Sequence, residues 1–173
     1  MADLVASHIR DIPDFPKPGV VFKDITPLLA DAAAFASTIE HFAGWLDRVG
    51  AELVVGIEAR GFILAAPAAL QAQLGFVPLR KPGKLPGVTL RESYALEYGE
   101  AALEMHEDAI RAGARVAVMD DVLATGGTAA AGADLLERAG AQVVGLSFLM
   151  ELAALGGRAK LPGRAIDCLL TVD

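Results

Sequence analysis

The chain has 173 residues, 54% of them hydrophobic and 21% charged, with a formal charge of −7. These totals describe a globular protein with room for one well-buried core and exclude a disordered chain. The acidic balance leaves no basic excess for nucleic-acid phosphates, although a small anionic ligand needs only a local cluster of donors.

Cys168 is the only cysteine, so no intrachain disulfide can form, and a reducing compartment is expected. Residues 1–10 lack a charged region followed by an apolar core, so no signal peptide is expected. No apolar run approaches the roughly 20 residues of a membrane span. The expected location is the cytoplasm, with no membrane and no nucleic-acid partner.

Leu4, Val5, His8 and Ile9 share one face of a short N-terminal helix. Pro13, Pro16 and Pro18 are then expected to forbid regular structure through Gly19. Val20–Ile25 follows as a brief extended run stopped by Pro27. From the residues alone this segment is either a surface cover packed by Phe15 and Phe22 or a ligand contact. Phe35, Ile39, Phe42, Leu46 and Val49 recur at helical spacing and predict an amphipathic helix ending before Gly50. Trp45 reads as core or interface packing. His8 and His41 have no metal-like partner at ligand spacing.

Leu53–Ile57 predicts a strand buried on both faces, with Glu58–Gly61 at its carboxyl end, where open α/β sheets place ligands. Arg60 there is an anion contact or a solvated strand end. A helix over residues 62–74 tolerates Pro67, and Phe76–Leu79 reads as a short edge-like strand. In residues 80–87, three cations (Arg80, Lys81 and Lys84) sit among Pro and Gly residues, as a basic lid over a polyanion or a solvated turn would require. Residues 89–105 predict a β-ribbon turning near Gly99.

The central stretch is Arg115–Thr128. An apolar strand is followed by two carboxylates, Asp120 and Asp121. The bend Ala124–Thr125–Gly126–Gly127–Thr128 and an Ala-rich helix then complete it. The first N–H groups of such a helix attract an anion, and the glycines let backbone approach it closely. Two acids beside a phosphate would repel it, so they should face sugar hydroxyls or water on a cation of the same ligand. That pairing suggests a ribose 5-phosphate. No P-loop or dinucleotide fingerprint occurs. Gln142–Met150 and Ile166–Val172 complete the strands. The fold class is therefore α/β, with a mostly parallel central sheet flanked by helices in one domain, 1–173.

The central stretch resembles the phosphoribosyl-diphosphate motif of type I phosphoribosyltransferases, and its Leu-Ala-Thr-Gly-Gly-Thr form is similar to the adenine-using members. Three further segments match in the family's order: Pro-Gly-Val-Val-Phe-Lys-Asp-Ile, Glu-Ala-Arg-Gly-Phe, and the run through Lys-Leu-Pro-Gly and Ser-Tyr-Ala-Leu-Glu-Tyr-Gly. The resemblance implies a hood over about residues 1–30 and a flexible catalytic loop over about residues 81–104. It implies conversion of adenine and 5-phosphoribosyl 1-diphosphate to AMP and diphosphate, with Mg2+ and a homodimer. By that match Val21 and Lys23 offer backbone contacts to adenine, and Phe22 stacks on it. Glu58, Ala59, Arg60, Arg80 and Lys84 meet the diphosphate. Asp120, Asp121 and residues 124–128 hold the phosphoribosyl group. Arg60 and Glu97 are the catalytic candidates, Glu97 as a proton-transfer group on the purine. No side chain is expected to ligate the metal directly, the ion being held by ligand oxygens and water near Asp120 and Asp121. Lys23 and Ala59 stand where many relatives have Arg and Ser. The family commonly has a non-proline cis peptide at the position joining Glu58 to Ala59. A transferase for another base, or a non-enzymatic sensor of the same diphosphate, is the competing reading.

Overall fold

A computed structural model of the chain describes residues 1–95 and 99–173. Five strands make an all-parallel sheet. These are β3 (Leu53–Ile57), β4 (Gly75–Leu79), β7 (Arg115–Leu123), β8 (Gln142–Leu152) and β9 (Ile166–Val172), in the order β4-β3-β7-β8-β9. Two short hairpins flank it: β1 (Arg10–Pro13) with β2 (Val21–Asp24), and β5 (Thr89–Ala95) with β6 (Glu100–His106).

Side-chain alternation along β7 splits the core. Ala117 and Met119 face one layer with Phe42, Leu46, Leu64 and Ala68. These come from α3 (Ala32–Arg48) and α4 (Arg60–Gln71). Val116 and Val118 face the other layer with Leu135, Leu136 and Phe148. That side carries α5 (Gly127–Arg138) and, through Leu103 and Met105, the second hairpin. Trp45 is core packing: it is 6% exposed and fills the space over Gly145. Cys168 is half-buried, and burial pushes its thiol up to about 12, as an inert structural cysteine requires. Among the described residues, no helix is long and apolar enough to cross a membrane.

The chain opens with α1 (Ala2–Ser7), and two expectations change in the segment after it. Pro13 ends a paired strand instead of preventing one, because it occupies the last position of the β1–β2 ladder. Pro27 does not simply stop the extended run; it sits in the first turn of α2 (Thr26–Ala30), where its missing N–H has no intrahelical partner to lose. The hairpin is tied to that helix by Asp24, which accepts hydrogen bonds from the Thr26 N–H (2.9 Å), the Thr26 hydroxyl (2.8 Å) and the Arg10 guanidinium (2.6 Å). The Thr26 N–H, then Arg10, hold its carboxyl at about 2.

A depressed folded-state pKa stabilises above the ordinary carboxylate range and is lost as pH falls toward the folded value. The thermal midpoint should therefore fall between about pH 4 and about pH 2 partly through Asp24. Asp24→Asn should flatten that slope, and an unchanged slope would remove Asp24 as a source of it.

Candidate active site

β7 is the middle strand of the sheet and β3 its neighbour; they lie on either side of the point where the strand order reverses and end at different heights. β3 pairs with β7 only as far as Gly56 opposite Met119, whereas β7 continues beside β8 to Leu123 opposite Glu151. Asp120 and Asp121 consequently lie within β7, not after it, with their β3 side open. Crevices at such a switch point hold ligands in doubly wound sheets. Here a cavity of about 670 Å³ fills the crevice, bounded by residues 20–23, 58–60 and 120–129.

The bend after β7 enters α5 through Gly126, whose φ is +77°. No side chain caps this helix, so its first N–H groups remain available to an anion. Glycine is required for a second reason. A Cβ at Gly126 would stand 2.3 Å from the carbonyl oxygen of Gly157, and one at Gly157 would stand 2.3 Å from that of Ala124. The 3₁₀ turn Gly157–Lys160 thus backs directly onto the bend. On the cavity side, the Thr128 hydroxyl donates to Tyr94 Oη on β5 at 3.2 Å.

Asp121 is 4% exposed, and its Oδ2 accepts no hydrogen bond among the described residues. Its counter-ion is Arg60, the first residue of α4, whose Nε meets Oδ2 directly. The same guanidinium lies 5.2 Å from the centre of the Phe22 ring. Arg60 thereby bridges the acid pair and the hood. Asp120 Oδ1 receives the Asp121 N–H at 2.8 Å. Burial first, and the Asp121 charge second, push the Asp120 carboxyl well above the usual range. Gly61 packs against this residue, since a Cβ there would stand 2.9 Å from Asp120 Oδ1.

The Glu58–Ala59 peptide is cis. Glu58 anchors the root of the basic segment by accepting from the Lys81 N–H at 2.9 Å and from Arg80 Nε at 3.1 Å. Partial burial opposes ionisation, but the Lys81 N–H and Arg80 outweigh it and hold the Glu58 carboxyl below its usual range. Of the three cations, Lys81 lines the cavity. Arg80 is paired with Glu58, and Lys84 is exposed on the turn beyond, with its carbonyl accepting from Arg80 at 3.2 Å. Gly83 N–H donates to Glu104, which ties the turn to β6. Glu97 lies outside the described residues.

In the hood, Val21, Phe22 and Lys23 line the opposite wall. Phe22 packs edge-on against Phe15 at 5.2 Å. The Lys23 ammonium is held by Asp11 at 2.7 Å, which leaves only its backbone for a ligand. The cavity therefore brings together the hood, Glu58, Ala59, Arg60, both aspartates and residues 124–128. Tyr94 and Leu152, not singled out from sequence, also line it, as does Lys81, which was read as one cation of the basic run but not assigned to the diphosphate. Lys81 carried a readable signal, its place in the basic run. Leu152 carried none, because only the length of β8 brings it there.

Among the described residues no group of three or more His, Cys, Asp or Glu is placed to cage a metal. The acid pair still fits a hard divalent cation reached through ligand oxygens and water, because two adjacent carboxylates face the crevice with one cation, Arg60, between them.

Comparison with known proteins agrees with this geometry. The phosphoribosyl transferase domain family matches residues 27–163. The adenine phosphoribosyltransferase of Acidothermus cellulolyticus is 59% identical over 172 residues, covering 99% of this chain and 97% of that protein. A crystal structure of the adenine phosphoribosyltransferase of Thermoanaerobacter pseudethanolicus superposes with a TM-score of 0.96 at 49% identity, covering 99% of this chain and 100% of that one. That of Saccharomyces cerevisiae, complexed with adenine and an imino-altritol 1,6-bisphosphate, gives 0.93 at 37% identity over 98% of both chains. With the switch-point crevice, the Thr-Gly-Gly-Thr bend and full-length relatives in agreement, the chain belongs to the adenine phosphoribosyltransferase family, within the phosphoribosyl transferase domain family.

Proposed function

We propose that the protein transfers the phosphoribosyl group of 5-phosphoribosyl 1-diphosphate to adenine, giving AMP and diphosphate for purine salvage. The observation that carries this reading is the single cavity in which an anion-ready bend and an acid pair face an aromatic hood. The yeast relative's complex with adenine and a bisphosphorylated imino sugar supports the same pairing of ligands.

The 5-phosphate would sit on the N–H groups and hydroxyls of residues 124–128, and the ribose hydroxyls would meet Asp120 and Asp121. Adenine would lie under Phe22, its edge on the Val21 and Lys23 backbone. Adenine nitrogen then attacks the anomeric carbon as the bond to diphosphate breaks, through an oxocarbenium-like state. Charge builds on the departing diphosphate. Arg60, Lys81, Arg80 and Lys84, with N–H groups of the Glu58–Arg60 loop, are the chain's own donors for it. Arg60 and Arg80 would exchange carboxylate partners for diphosphate oxygens. Mg2+, held by substrate oxygens and water beside the acid pair, would supply further charge neutralisation.

Glu97 is assigned the proton transfer at purine N7. In this direction its carboxylate accepts the ring proton that adenine loses as the bond to the anomeric carbon forms; a free Glu has a pKa of about 4.3, so desolvation must raise it to make an effective base near neutral pH. Glu97→Gln is expected to lower kcat by roughly 10²-fold while leaving substrate binding intact; near-normal turnover would remove the assignment.

A homodimer is proposed as the working form, with Ile63 and Leu70 exposed on α4 as apolar surface for a second copy. Sedimentation at the single-chain mass would contradict it. A cytoplasmic location is proposed from the lone cysteine. The function is tested by incubating the protein with Mg2+, 5-phosphoribosyl 1-diphosphate and each nucleobase in turn. AMP from adenine is expected, and a nucleotide formed only from another base would overturn the assignment.

A further inference from the structure

We propose that Lys160 is the side-chain cation of the 5-phosphate site and sets its preference for phosphorylated ligands; this rests on the phosphoribosyl reading above. The bend at residues 124–128 offers N–H groups and threonine hydroxyls but carries no positive side chain of its own. Of the nearby cations, Arg60 pairs with Asp121, Lys23 with Asp11 and Arg80 with Glu58, while Lys81 lines the cavity from the basic segment assigned above to the diphosphate. A phosphate monoester near neutral pH carries a charge of about −1.5 to −2, more than one helix terminus balances.

Lys160 reaches the bend from behind. A Cβ built on Gly127, the first residue of α5, would stand 3.8 Å from Lys160 Nζ. Tyr94 Cδ2 at 3.6 Å and the Ala95 carbonyl oxygen at 3.9 Å complete the same small space, so the ammonium lies at the seam between the bend and the second hairpin. Among the described residues, Lys160 makes no hydrogen bond or ion pair.

Its position is built into the fold. The turn that bears it is pinned at Gly157 by backbone contact with Ala124 and Gly126. Arg158 holds the turn from the other side, with Nε 2.8 Å from both oxygens of Glu151, which is 6% exposed. Leu161, 2% exposed, closes it. An ammonium on a flexible stem acts as a point charge and needs no fixed hydrogen-bond geometry to serve a phosphate.

The contact is the same before and during the reaction, so it should act on binding and not on turnover. Calorimetric binding of AMP, ribose 5-phosphate and adenosine to the wild-type protein, Lys160→Met and Lys160→Arg tests this. Lys160→Met is expected to weaken AMP and ribose 5-phosphate by roughly three- to tenfold and to leave adenosine unchanged. Lys160→Arg should restore most of the loss. In turnover, the KM for 5-phosphoribosyl 1-diphosphate should rise by the same factor at constant kcat. Unchanged AMP binding, or equal weakening of AMP and adenosine, would overturn the assignment of Lys160 alone. A wild-type protein that binds neither AMP nor ribose 5-phosphate would overturn the phosphoribosyl reading and this inference with it.

Discussion

Gly126→Ala should lower kcat/KM for 5-phosphoribosyl 1-diphosphate by at least about 100-fold, because two separate demands meet at this residue. Its φ of +77° alone costs a residue with a Cβ about 1–2 kcal/mol. The added carbon also meets the Gly157 carbonyl oxygen at 2.3 Å, and that neighbour is backbone, which cannot rotate away. The bend must shift, and its N–H groups then no longer converge on the phosphate. Gly113→Ala separates the two effects. Gly113 has a φ of +80° with nothing within 4 Å of an added Cβ, so that variant carries the strain without the collision. It should lose stability yet keep normal kinetics. If Gly126→Ala behaved like Gly113→Ala, the close approach of the two backbones would not matter to function.

The second large effect concerns Arg60. Arg60→Ala should reduce kcat/KM by roughly 10²- to 10³-fold through loss of a donor to the departing diphosphate. It should also destabilise the protein by about 1–3 kcal/mol, since Asp121 is left 4% exposed without its cation. The double variant Arg60→Ala, Asp121→Asn should recover that stability and none of the activity. Denaturant unfolding and steady-state kinetics on the four proteins of the cycle read both quantities. Recovery of activity in the double variant would mean that Arg60 serves only to neutralise Asp121.

What could be read from the sequence was whatever local pattern determines. Apolar runs such as Leu53–Ile57, read as buried on both faces, and Gln142–Met150 marked strands, and each became a strand of the parallel sheet. The Thr-Gly-Gly-Thr bend was visible because an anion-binding helix start has a local signature. The hood and the bend were tied to one ligand only through the resemblance, and their meeting across one cavity is a matter of tertiary structure.

Other features depend on partners distant in the chain. Gly126 against Gly157 and Arg60 against Asp121 join residues from different elements, so nothing near either one announces the contact. The end of β7 was misplaced for the same reason. Its length is set by pairing with β8, which carries the strand past both aspartates to Leu123. Proline was over-read at the hood, where an edge position and a helix first turn each tolerate it. In the basic segment the charges were legible and their partners were not: Glu58 takes Arg80 and leaves Lys81 lining the cavity.

The central claim is that the bend at residues 124–128 holds the 5-phosphate while Asp120 and Asp121 hold the ribose hydroxyls. A crystal structure of the protein with AMP tests it most directly. The account predicts phosphate density within hydrogen-bond distance of the Thr125–Thr128 N–H groups, with ribose against the acid pair and the base under Phe22. Phosphate density anywhere else in the cavity, or AMP bound outside it, would contradict the account.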